Sequence, residues 1–452
     1  MMSNQASLGD ISDSVESSSS LDGEETKETE GWTSEKIGDI FDGIKSGGTP
    51  KRGKDKYWEG GDIPFVKIED LNRQQGDGIS DAKEYTTQQA IEDGKTRIYD
   101  PGTILLTIYG TLGETGIVTA PVSTNQGIIG LWDPKDTNIQ FARYALDFEQ
   151  DRLASKKRET TQANIGKNIL KLHEIPHPPK SEQRRIASVL YNVDQAISKT
   201  EEIIEQTQRV KKGLMQDLMN EGIDGRELKE VRIGPKTFEL PENWEKKQML
   251  EVSTEIRNGF VGTATPYYEE GGIPYLQSFN VRPNKIDSED EMVEISEEFH
   301  EDNQDTRIYE GNMLTVQSGH IGESAIVPER YDNANCHALI ITRFDEKEVY
   351  PEYVAYFMNS EIGRSLIKSV SVGTTVKHLN TSDLRKFEMP IPPLKEQKRI
   401  AEILSTYENQ IRTYKEEKEQ LQSLKKGLMQ DLLTGSVRTS EGVEVLDEVV
   451  EV

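Results

Sequence analysis

The chain has 452 residues, enough for two or three domains, and combines 34% hydrophobic with 30% charged residues, as expected for a globular protein with disordered ends. No apolar run approaches the roughly 20 residues needed to span a bilayer, and the first 30 residues lack the parts of a signal peptide. The single cysteine excludes an internal disulfide and a thiolate zinc site. Composition therefore predicts a cytoplasmic protein without a membrane partner.

The net charge of -26 constrains any role with nucleic acid. Residues 1–30 hold eight acids against Lys27 and predict a disordered acidic tail, and residues 436–452 predict a second acidic tail. The rest of the chain is also acidic, as expected either for a solubilising surface or for a halophilic protein in a high-salt cytoplasm. A nucleic-acid site must therefore be a local positive patch in a negative field.

The first half of the chain, residues 31–180, has the pattern of a mixed α/β domain rich in loops. Strand-like runs such as Thr103–Tyr109 and Ile117–Ala120 alternate with clusters of glycine, proline and asparagine. A helical pattern covers Gln140–Lys157. We therefore predict one globular domain over this half.

A long helix is predicted directly afterwards, over residues 181–222. Pro178 and Pro179 end the preceding strand, and no proline follows for about forty residues. Apolar or near-neutral residues recur there at alternating steps of three and four, which defines a heptad seam. The seam comprises Ile186, Leu190, Val193, Ile197, Thr200, Ile204, Thr207, Leu214 and Leu218. At about 1.5 Å per residue, such a helix is roughly 60 Å long.

The second half repeats this organisation. Residues 236–394 predict another mixed domain, with strand-like runs at Met313–Val316 and Ala338–Ile341 and a helical pattern over Pro351–Val370. Residues 395–435 follow a second pair of prolines and predict a second long helix. Its seam comprises Ile400, Leu404, Tyr407, Ile411, Tyr414, Leu421, Leu428 and Leu432.

Whole phrases of the first half return about 210 residues later: Lys211–Leu218 is identical to Lys425–Leu432, and Thr96–Tyr99 to Thr306–Tyr309. Each long helix has one apolar stripe to bury, and its copy is the obvious partner. The intervening domain returns the chain, so the pair should be antiparallel. The predicted fold class is therefore α/β (α+β), with two similar globular domains separated by a long antiparallel two-helix coiled coil in a pseudo-two-fold internal repeat.

The polar residues of the repeated helix phrase are candidates for docking a partner, because core packing alone would not demand their identity. They would lie at opposite ends of an antiparallel pair and offer two equivalent surfaces to two copies of a partner. The candidates are Lys211, Lys212, Gln216, Lys425, Lys426 and Gln430. Lys211, Lys418 and Lys425 fall on the seam positions, so neither seam is wholly apolar.

The phrases Ser46–Pro50, Gly60–Val66, Pro178–Ala187 and Gly427–Gly435 are among several distinctive ones that occur in order between about Trp32 and Val437. Together they resemble phrases of the specificity subunits of type I restriction-modification systems. Some are similar to the opening of a target-recognition domain, others to the junction into that family's spacer helices or to the end of such a helix. The matching phrases are Ser46–Pro50, Tyr57-Trp58, Gly60–Val66, Asp70-Leu71, Gly272–Leu276, Pro178–Ala187, Pro392–Ala401 and Gly427–Gly435. Six or more motifs in order, and duplicated, make the resemblance specific.

The resemblance implies a non-catalytic subunit that recognises double-stranded DNA. Target-recognition domain 1 would cover residues 31–180 and target-recognition domain 2 residues 236–394, each reading one half of a bipartite, asymmetric site. The spacer helices, 181–222 and 395–435, would set the spacing between the halves. Two modification subunits, which carry S-adenosylmethionine, and restriction subunits, which use ATP and Mg, would complete the enzyme.

The chain lacks the sequence motifs of the chemistry itself. It has no Asn-Pro-Pro-Tyr-type motif for an extrahelical adenine and no glycine-rich phosphate loop, and its six histidines show no metal-ligand spacing. We therefore predict no catalytic residue, no metal site and no cofactor bound by this chain. Two alternatives stay open: a stand-alone DNA-modifying enzyme, and a coiled-coil adaptor without a DNA role.

Candidate DNA contacts are polar side chains able to reach base edges and cations able to reach phosphates. In the first half they follow strand-like runs or form basic clusters that lead into a polar run. They are Lys51, Arg52, Tyr109, Thr111, Asn125, Gln126, Lys156, Lys157, Arg158, Thr161, Gln162 and Asn164. The repeated Arg97 is expected to be structural, because a residue that specifies sequence should differ between the halves.

The second half offers counterparts in different polar residues, as expected if the two domains read different bases. Arg307, like Arg97, is expected to be structural, and the loop Gln277–Lys285 has no close copy in the first half. The candidates are Gln277, Asn280, Arg282, Asn284, Gln317, Ser318, His320, Asn335, His337, Lys368, Thr374, Thr375, Lys377 and His378.

Overall fold

A computed structural model describes residues 31–73, 78–109, 112–158, 167–223, 225, 227–286, 292–370 and 378–446. The chain divides into two units, the first formed by Met1–Glu202 with Lys415–Val452 and the second by Ile203–Tyr414. Each long helix therefore supplies residues to both units. The predicted domain boundaries at residues 180 and 394 differ from these, because the units share the helices between them.

The first unit contains ten strands in two four-stranded sheets and one two-stranded sheet within its described residues. The strands are β1 (Thr33–Lys36), β2 (Phe41–Ser46), β3 (Ile63–Val66), β4 (Tyr85–Thr86), β5 (Ile98–Tyr99), β6 (Ile104–Thr107), β7 (Thr115–Ile117), β8 (Val122–Thr124), β9 (Ile128–Pro134) and β10 (Glu174–His177). One sheet has the antiparallel order β2-β9-β6-β7; the other, β4-β3-β8-β5, joins β3 to β8 in parallel, and β1 pairs with β10.

The second unit repeats the same three sheets and adds two hairpins. Its strands are β11 (Leu228–Ile233), β12 (Lys236–Pro241), β13 (Glu245–Gln248), β14 (Ser253–Asn258), β15 (Tyr268–Leu276), β16 (Val281–Arg282), β17 (Lys285–Ile286), β18 (Val293–Ile295), β19 (Arg307–Ile308), β20 (Met313–Val316), β21 (Ser324–Ile326), β22 (Ala334–Cys336), β23 (Leu339–Phe344) and β24 (Glu388–Ile391). The orders β14-β23-β20-β21, β18-β15-β22-β19 and β13-β24 match those of the first unit, so the predicted internal repeat and mixed α/β fold are confirmed.

The helices of the described residues are mostly short, apart from the two predicted from the heptad seams. They are α1 (Ile37–Ile40), α2 (Ile68–Arg73), α3 (Gln88–Glu92), α4 (Ile139–Phe148), α5 (Gln150–Arg158), α6 (Lys167–Leu172), α7 (Lys180–Asn220), α8 (Glu297–Asp302), α9 (Pro351–Asn359), α10 (Glu361–Val370), α11 (Thr381–Arg385) and α12 (Leu394–Leu433). None of the helices in these described ranges is both long and apolar enough to cross a membrane.

Two helices predicted as continuous are each interrupted near the middle. The stretch Gln140–Lys157 breaks at Glu149, whose buried carboxylate contacts His173 at 3.1 Å instead of facing solvent. The stretch Pro351–Val370 breaks at Ser360, whose hydroxyl donates to the Phe357 carbonyl at 2.6 Å and accepts from the Gly363 amide at 3.1 Å. Hydrophobic periodicity does not report such breaks, because a serine hydroxyl that bonds the backbone can end one helix and begin the next.

The two long helices, α7 and α12, pair antiparallel in both units, as predicted. In the first unit Lys418 pairs with Glu201 at 2.6 Å and Lys425 with Asp194 at 2.7 Å. The residue numbers of the partners fall along α7 as they rise along α12, as in an antiparallel pair. In the second unit Lys211 pairs with Glu408 at 2.5 Å. The three lysines on the seams are therefore explained, because each one faces a carboxylate of the other helix.

A buried glutamine fixes the start of each long helix. The Gln183 amide donates to the Pro178 carbonyl at 2.8 Å, and its oxygen accepts from the Asn138 amide at 2.8 Å. Gln397 makes the equivalent bonds to Pro392 and to the Tyr350 amide, both at 2.8 Å. The repeated Pro-Pro and Glu-Gln phrases are thus the structural link between each domain's last strand, its α4 or α9 helix and the long helix.

Residues 436–446, predicted as part of an acidic tail, pack against the first unit. Arg438 forms a two-pronged ion pair with the buried Glu182 at 2.5 and 2.6 Å, and the Leu446 amide donates to the Ser188 hydroxyl at 3.1 Å. Val437, Val443 and Leu446 pack against the core of the first unit. The net negative charge of this segment gave no sign that it packs on the protein, because its position depends on one arginine and three apolar residues. The tail predicted at 1–30 lies outside the described residues.

Replacing Arg438 with alanine should lower the free energy of unfolding of the first unit by about 2 kcal/mol, because hydrogen bonds to a charged group are lost and Glu182 stays buried. Chemical denaturation with hydrogen exchange resolved to residues 180–190 would measure this loss. Glu441→Ala is the matched control, since Glu441 is exposed. Equal stability of the two variants would contradict the structural role of this segment.

Candidate nucleic-acid interface

Five of the predicted DNA contacts come together on the first unit, on what we call the first polar surface: Lys51, Arg52, Tyr109, Asn125 and Gln126. The Thr49 hydroxyl donates to the Gln126 amide oxygen. The Asn125 side chain accepts from the Gly127 amide at 2.9 Å, and Gly127 lies against the Tyr109 ring. The indole of Trp58 donates to the Lys51 carbonyl at 3.2 Å. Loops from three separate parts of the sequence therefore meet at one surface.

Glycine at position 47 is needed for this arrangement. A Cβ atom there would overlap the Thr124 side chain and the carbonyl oxygens of Thr124 and Asn125. The Gly47 amide donates to the Ile128 carbonyl at 3.1 Å and the Gly48 amide to the Thr124 carbonyl at 3.0 Å. The Ser46–Pro50 phrase thus packs its backbone directly on the loop that carries Asn125 and Gln126.

Arg52 already has partners within the protein, although its side chain is 54% exposed. Its guanidinium lies 4.2 Å from the Trp58 ring centre and pairs with Glu84 at 2.5 Å. Partial burial would raise the pKa of the Glu84 carboxyl, but Lys67 and Arg52 hold that pKa below its usual value. The arginine shares its charge with one partly exposed carboxylate of the protein, and the phosphate contact of Arg52 stays a prediction.

Four predicted contacts lie in two groups on the second unit, and we call them together the second polar surface: Ser318 with His378, and Gln277 with His337. The Ser318 hydroxyl lies 2.6 Å from Nδ1 of His378, and the Gln277 amide donates to the Tyr268 hydroxyl at 3.2 Å. His337 packs beside the rings of Tyr275 and Phe260, at 5.8 and 6.3 Å between centres.

The second polar surface offers hydrogen-bonding groups without fixed charge. Burial lowers the pKa of the His337 imidazole, so this ring is neutral near pH 7. Its Nδ1 lies 3.0 Å from the Tyr275 hydroxyl. The other ring nitrogen, Nε2, is a hydrogen-bond donor in one tautomer and an acceptor in the other. Neutral amide, hydroxyl and imidazole groups suit base edges better than phosphates.

Four other predicted contacts are structural, and we withdraw them as DNA contacts. Asn280 is 1% exposed and accepts from the Gln277 amide, and Asn335 is 0% exposed and bonds His300, Asn303 and Thr306. Gln317 is 6% exposed and donates to Asn258 at 2.7 Å. The side chain of Asn284 joins Glu408 to Asn359. Asparagine and glutamine were chosen for their base-reading chemistry, and the same donors and acceptors equally satisfy buried backbone.

The remaining predicted contacts lie apart or cannot be located. Arg282, His320 and Lys368 are exposed on three separate elements of the second unit, and His320 lies 3.9 Å from Glu323. The others fall outside the described residues, or have side chains outside them: Thr111, Lys156, Lys157, Arg158, Thr161, Gln162, Asn164, Thr374, Thr375 and Lys377.

The repeated helix phrase has a structural first lysine in both copies. Lys425 and the Tyr144 hydroxyl bind the Asp194 carboxylate at 2.7 Å each. Lys211 and the Tyr356 hydroxyl bind Glu408 at 2.5 and 2.7 Å. Lys211 and Lys425 are therefore corrected from docking to internal ion pairing, because their ammonium groups are already matched by carboxylates. The recurrence of a lysine, a tyrosine and a carboxylate (Asp194 in one copy, Glu408 in the other) at similar spacing was the sequence signal for this site.

The other four docking candidates are exposed and lie beside equivalent clefts, one in each unit. A cleft of 1730 Å³ in the first unit is lined by Lys426 and Gln430 together with residues of the α4–α5 junction. A cleft of 280 Å³ in the second unit is lined by Lys212 and Gln216 together with the α9–α10 junction. Repetition of the phrase therefore places the same polar pair at the same junction twice.

Groups that could bind a metal ion, and the single cysteine, are the other side chains that could give these surfaces a chemical role. Over the part of the chain that the structure describes, His, Cys, Asp and Glu form no group of three or more that could hold a metal ion. The free Cys336 is buried beside Gly259, and burial raises the pKa of its thiol to about 12. A thiol of that kind is not a nucleophile at neutral pH.

Comparison with known proteins agrees with the repeat and with the fold. A family model described as the type I restriction modification DNA specificity domain matches residues 29–209 and 241–423. The chain is similar to the putative type I restriction enzyme MjaX specificity subunit of Methanocaldococcus jannaschii, 28% identical over 433 residues, which cover 90% of this chain and 94% of the relative. The MjaVIII specificity subunit of that organism is 27% identical, over 90% of this chain and 93% of the relative.

Solved structures support the same fold. The type I restriction-modification system S subunit from M. genitalium superposes with a TM-score of 0.56 at 17% identity, covering 89% of this chain and 96% of that chain.

Proposed function

Because the chain belongs to the type I restriction modification DNA specificity domain family, we propose that it is the DNA sequence-recognition subunit of such an enzyme. Each unit recognises one half of a bipartite, asymmetric site, with residues 31–180 and 236–394 as its target-recognition domains. The α7–α12 pair sets the spacing between the half-sites. The subunit itself is non-catalytic.

The observation that carries this proposal is the contrast between a repeated framework and unrepeated polar side chains. The strand orders of the three sheets are the same in both units. At equivalent loops the first polar surface presents Tyr109, Asn125 and Gln126, whereas the second presents Ser318 and His337. The same framework therefore carries different polar side chains at equivalent loop positions, which suits it to reading two different half-sites with one geometry.

The two clefts beside the repeated helix phrase support a docking role for their exposed polar residues. We infer that Lys212 and Gln216 in the second unit, and Lys426 and Gln430 in the first, contact two modification subunits, which would carry S-adenosylmethionine. Restriction subunits that use ATP and Mg would complete the enzyme. The place of action would be the cytoplasm, where such a complex meets DNA. The high-salt interpretation of the acidic surface stays a prediction from composition.

Selection from a pool of duplexes with a randomised centre would test the proposal. The full chain, assembled with the modification subunit of its host, should enrich two short half-sites separated by a gap of fixed length. Enrichment of one contiguous sequence, or of none, would reject a bipartite reader and favour the adaptor. Methyl transfer or cleavage by the chain alone, with S-adenosylmethionine and Mg, would instead favour a stand-alone enzyme.

Gln126→Ala should reduce discrimination at one half-site by about 1–3 kcal/mol and leave the other half-site unchanged, because an amide that pairs with a base edge specifies that base alone. Competition binding with single-base variants of the selected duplex measures this directly. Gln88→Ala provides the matched control, since Gln88 is an exposed glutamine on α3 of the same unit. A uniform loss across all duplexes would show that Gln126 acts on the backbone or on folding instead.

A further inference from the structure

The first unit carries a cluster of four cations that we call the basic surface: Lys45, Arg97, Lys167 and Lys171. The Tyr99 hydroxyl donates to the Lys45 carbonyl at 2.9 Å, which holds β5 and the adjoining Arg97 beside β2. The Ile37 amide donates to the His173 carbonyl at 2.9 Å, and a Cβ on Gly38 would meet the Lys171 carbonyl at 2.9 Å, so α6 packs on the α1 turn before β2.

The basic surface keeps its positive charge. Among the described residues, no carboxylate lies within ion-pair distance of these four cations. By contrast, Lys56, Lys67, Lys83 and Lys135 of the same unit each pair with a carboxylate. Partial burial, and then the charges of Lys171, Lys45 and Arg97, lower the pKa of the Lys167 ammonium. In a chain with a net charge of -26, four neighbouring cations without a carboxylate partner form a local positive patch that suits an external anion.

The basic surface adjoins the first polar surface. Lys45 directly precedes the Ser46–Pro50 phrase, whose Gly48 packs on the Lys95 carbonyl. The Thr96 hydroxyl donates to the Thr124 carbonyl at 2.9 Å, one residue before Asn125. Cations and base-reading side chains thus share one continuous part of the first unit.

The equivalent cations of the second unit already bind carboxylates or backbone carbonyls within the protein. Arg257 occupies the position of Lys45 in its strand, and pairs with Glu255 at 3.0 Å and with the Arg307 carbonyl at 2.7 Å. Arg307 itself pairs with Glu301 at 2.8 Å, so its predicted structural role is supported. Arg385, the counterpart of Lys171, donates to the Ile256 carbonyl at 2.7 Å. Arg97 and Arg307 lie in identical sequence phrases, but among the described residues only Arg307 has a carboxylate partner.

We propose that Lys45, Arg97, Lys167 and Lys171 bind backbone phosphates of the duplex, so that the first unit supplies most of the salt-dependent affinity. The second unit then recognises its half-site chiefly through neutral groups. The inference rests on the proposed function for the identity of the ligand. Phosphate contacts position a duplex without reading it, and each one releases counterions on binding. Concentrating them on one unit lets that unit anchor the DNA while both units read the bases of their half-sites.

The triple variant Lys45→Gln, Lys167→Gln, Lys171→Gln tests this with a random-sequence duplex as the probe. The slope of log affinity against log salt should fall by about 2.7, which is about 0.9 for each contact removed. Between about 50 and about 200 mM salt, the parent should therefore lose roughly 40-fold more affinity than the variant. Lys45→Gln alone should lower the slope by about 1.

A second triple variant, Lys83→Gln, Lys135→Gln, Lys199→Gln, makes the same change in net charge at exposed positions outside the basic surface. Its slope should stay within experimental error of the parent's. Equal slopes for both triple variants would overturn the basic surface while leaving the proposed function intact. Absence of duplex binding by the parent assembly at any salt concentration would overturn both.

Discussion

Replacing Asp194 with alanine is expected to lower the free energy of unfolding of the first unit by about 4 kcal/mol, because breaking a buried ion pair leaves its partners uncompensated. The Asp194 side chain is 10% exposed and receives Lys425, the Tyr144 hydroxyl and, at 3.2 Å, the Arg143 guanidinium. Burial by itself would lower the pKa of Arg143, but Tyr144, Asp147 and Asp194 raise it above its usual value. Without Asp194, a buried guanidinium would keep Asp147 as its remaining carboxylate partner among the described residues.

Glu201→Ala is the matched control for this prediction. Glu201 pairs with Lys418 across the same two helices, but the side chains of this pair are 49% and 30% exposed. An exposed pair contributes at most about 1 kcal/mol. Denaturant unfolding followed by tryptophan fluorescence would report mainly on the first unit, because three of the four tryptophans, Trp32, Trp58 and Trp132, belong to it. Similar losses for both variants would show that burial does not distinguish the two pairs.

A further variant separates charge from hydrogen bonding at this site. Asp194→Asn keeps an acceptor for the Tyr144 hydroxyl and removes the charge that Arg143 and Lys425 require. We expect its stability to lie between those of the parent and of Asp194→Ala. If both substitutions cost the same, the electrostatic part of the interaction dominates; if Asp194→Asn is neutral, the hydroxyl bond does.

Gln397→Ala is expected to lower the free energy of unfolding of the second unit by about 3 kcal/mol. The amide of this fully buried residue bonds the Tyr350 amide and the Pro392 carbonyl, both at 2.8 Å, and the Glu348 carbonyl at 3.2 Å. Truncation leaves these backbone groups buried without their partner, and each such group costs about 1–3 kcal/mol. Hydrogen exchange at Tyr350 and along α9 should accelerate together with the loss of stability.

The control for Gln397 lies two residues further along the same helix. Arg399 is exposed and pairs with Glu402 at 2.7 Å, so Arg399→Ala should change stability by less than about 1 kcal/mol. Gln183→Ala, at the repeated position, should destabilise the first unit by a similar amount to Gln397→Ala. A harmless Gln397→Ala would mean that this repeated phrase is not the structural link between domain and helix.

Much of the fold followed from the sequence, because its signals are periodic or repeated. The strand Met313–Val316 and both long helices were predicted to within a residue or two, since proline pairs mark their starts and heptads run along them. Glycines 113, 319 and 322 adopt positive φ in turns, as expected for a residue without a Cβ. The breaks at Glu149 and Ser360, and the packing of residues 436–446, depend on single side-chain contacts that leave no periodic signal.

For the candidate site, the sequence supplied the right kinds of residue but could not tell exposed from buried ones. Asn125 and Asn335 have the same chemistry, yet Asn125 is half-buried beside an exposed loop, whereas Asn335 is fully buried and bonds three other residues. Identity between the halves also had two meanings: it marks Lys425 as an internal partner of Asp194, whereas it conceals the difference between Arg97 and Arg307.

The sequence by itself determined the family, the duplicated architecture and the pairing of the two helices, because repeats, prolines and heptads are properties of the chain alone. The tertiary structure decided which polar groups remain available to a ligand. Whether a polar group is available depends on whether its donors, acceptors or charge already have hydrogen-bond or ion-pair partners within the fold. Such partners come from residues far away along the chain, so the sequence does not show them.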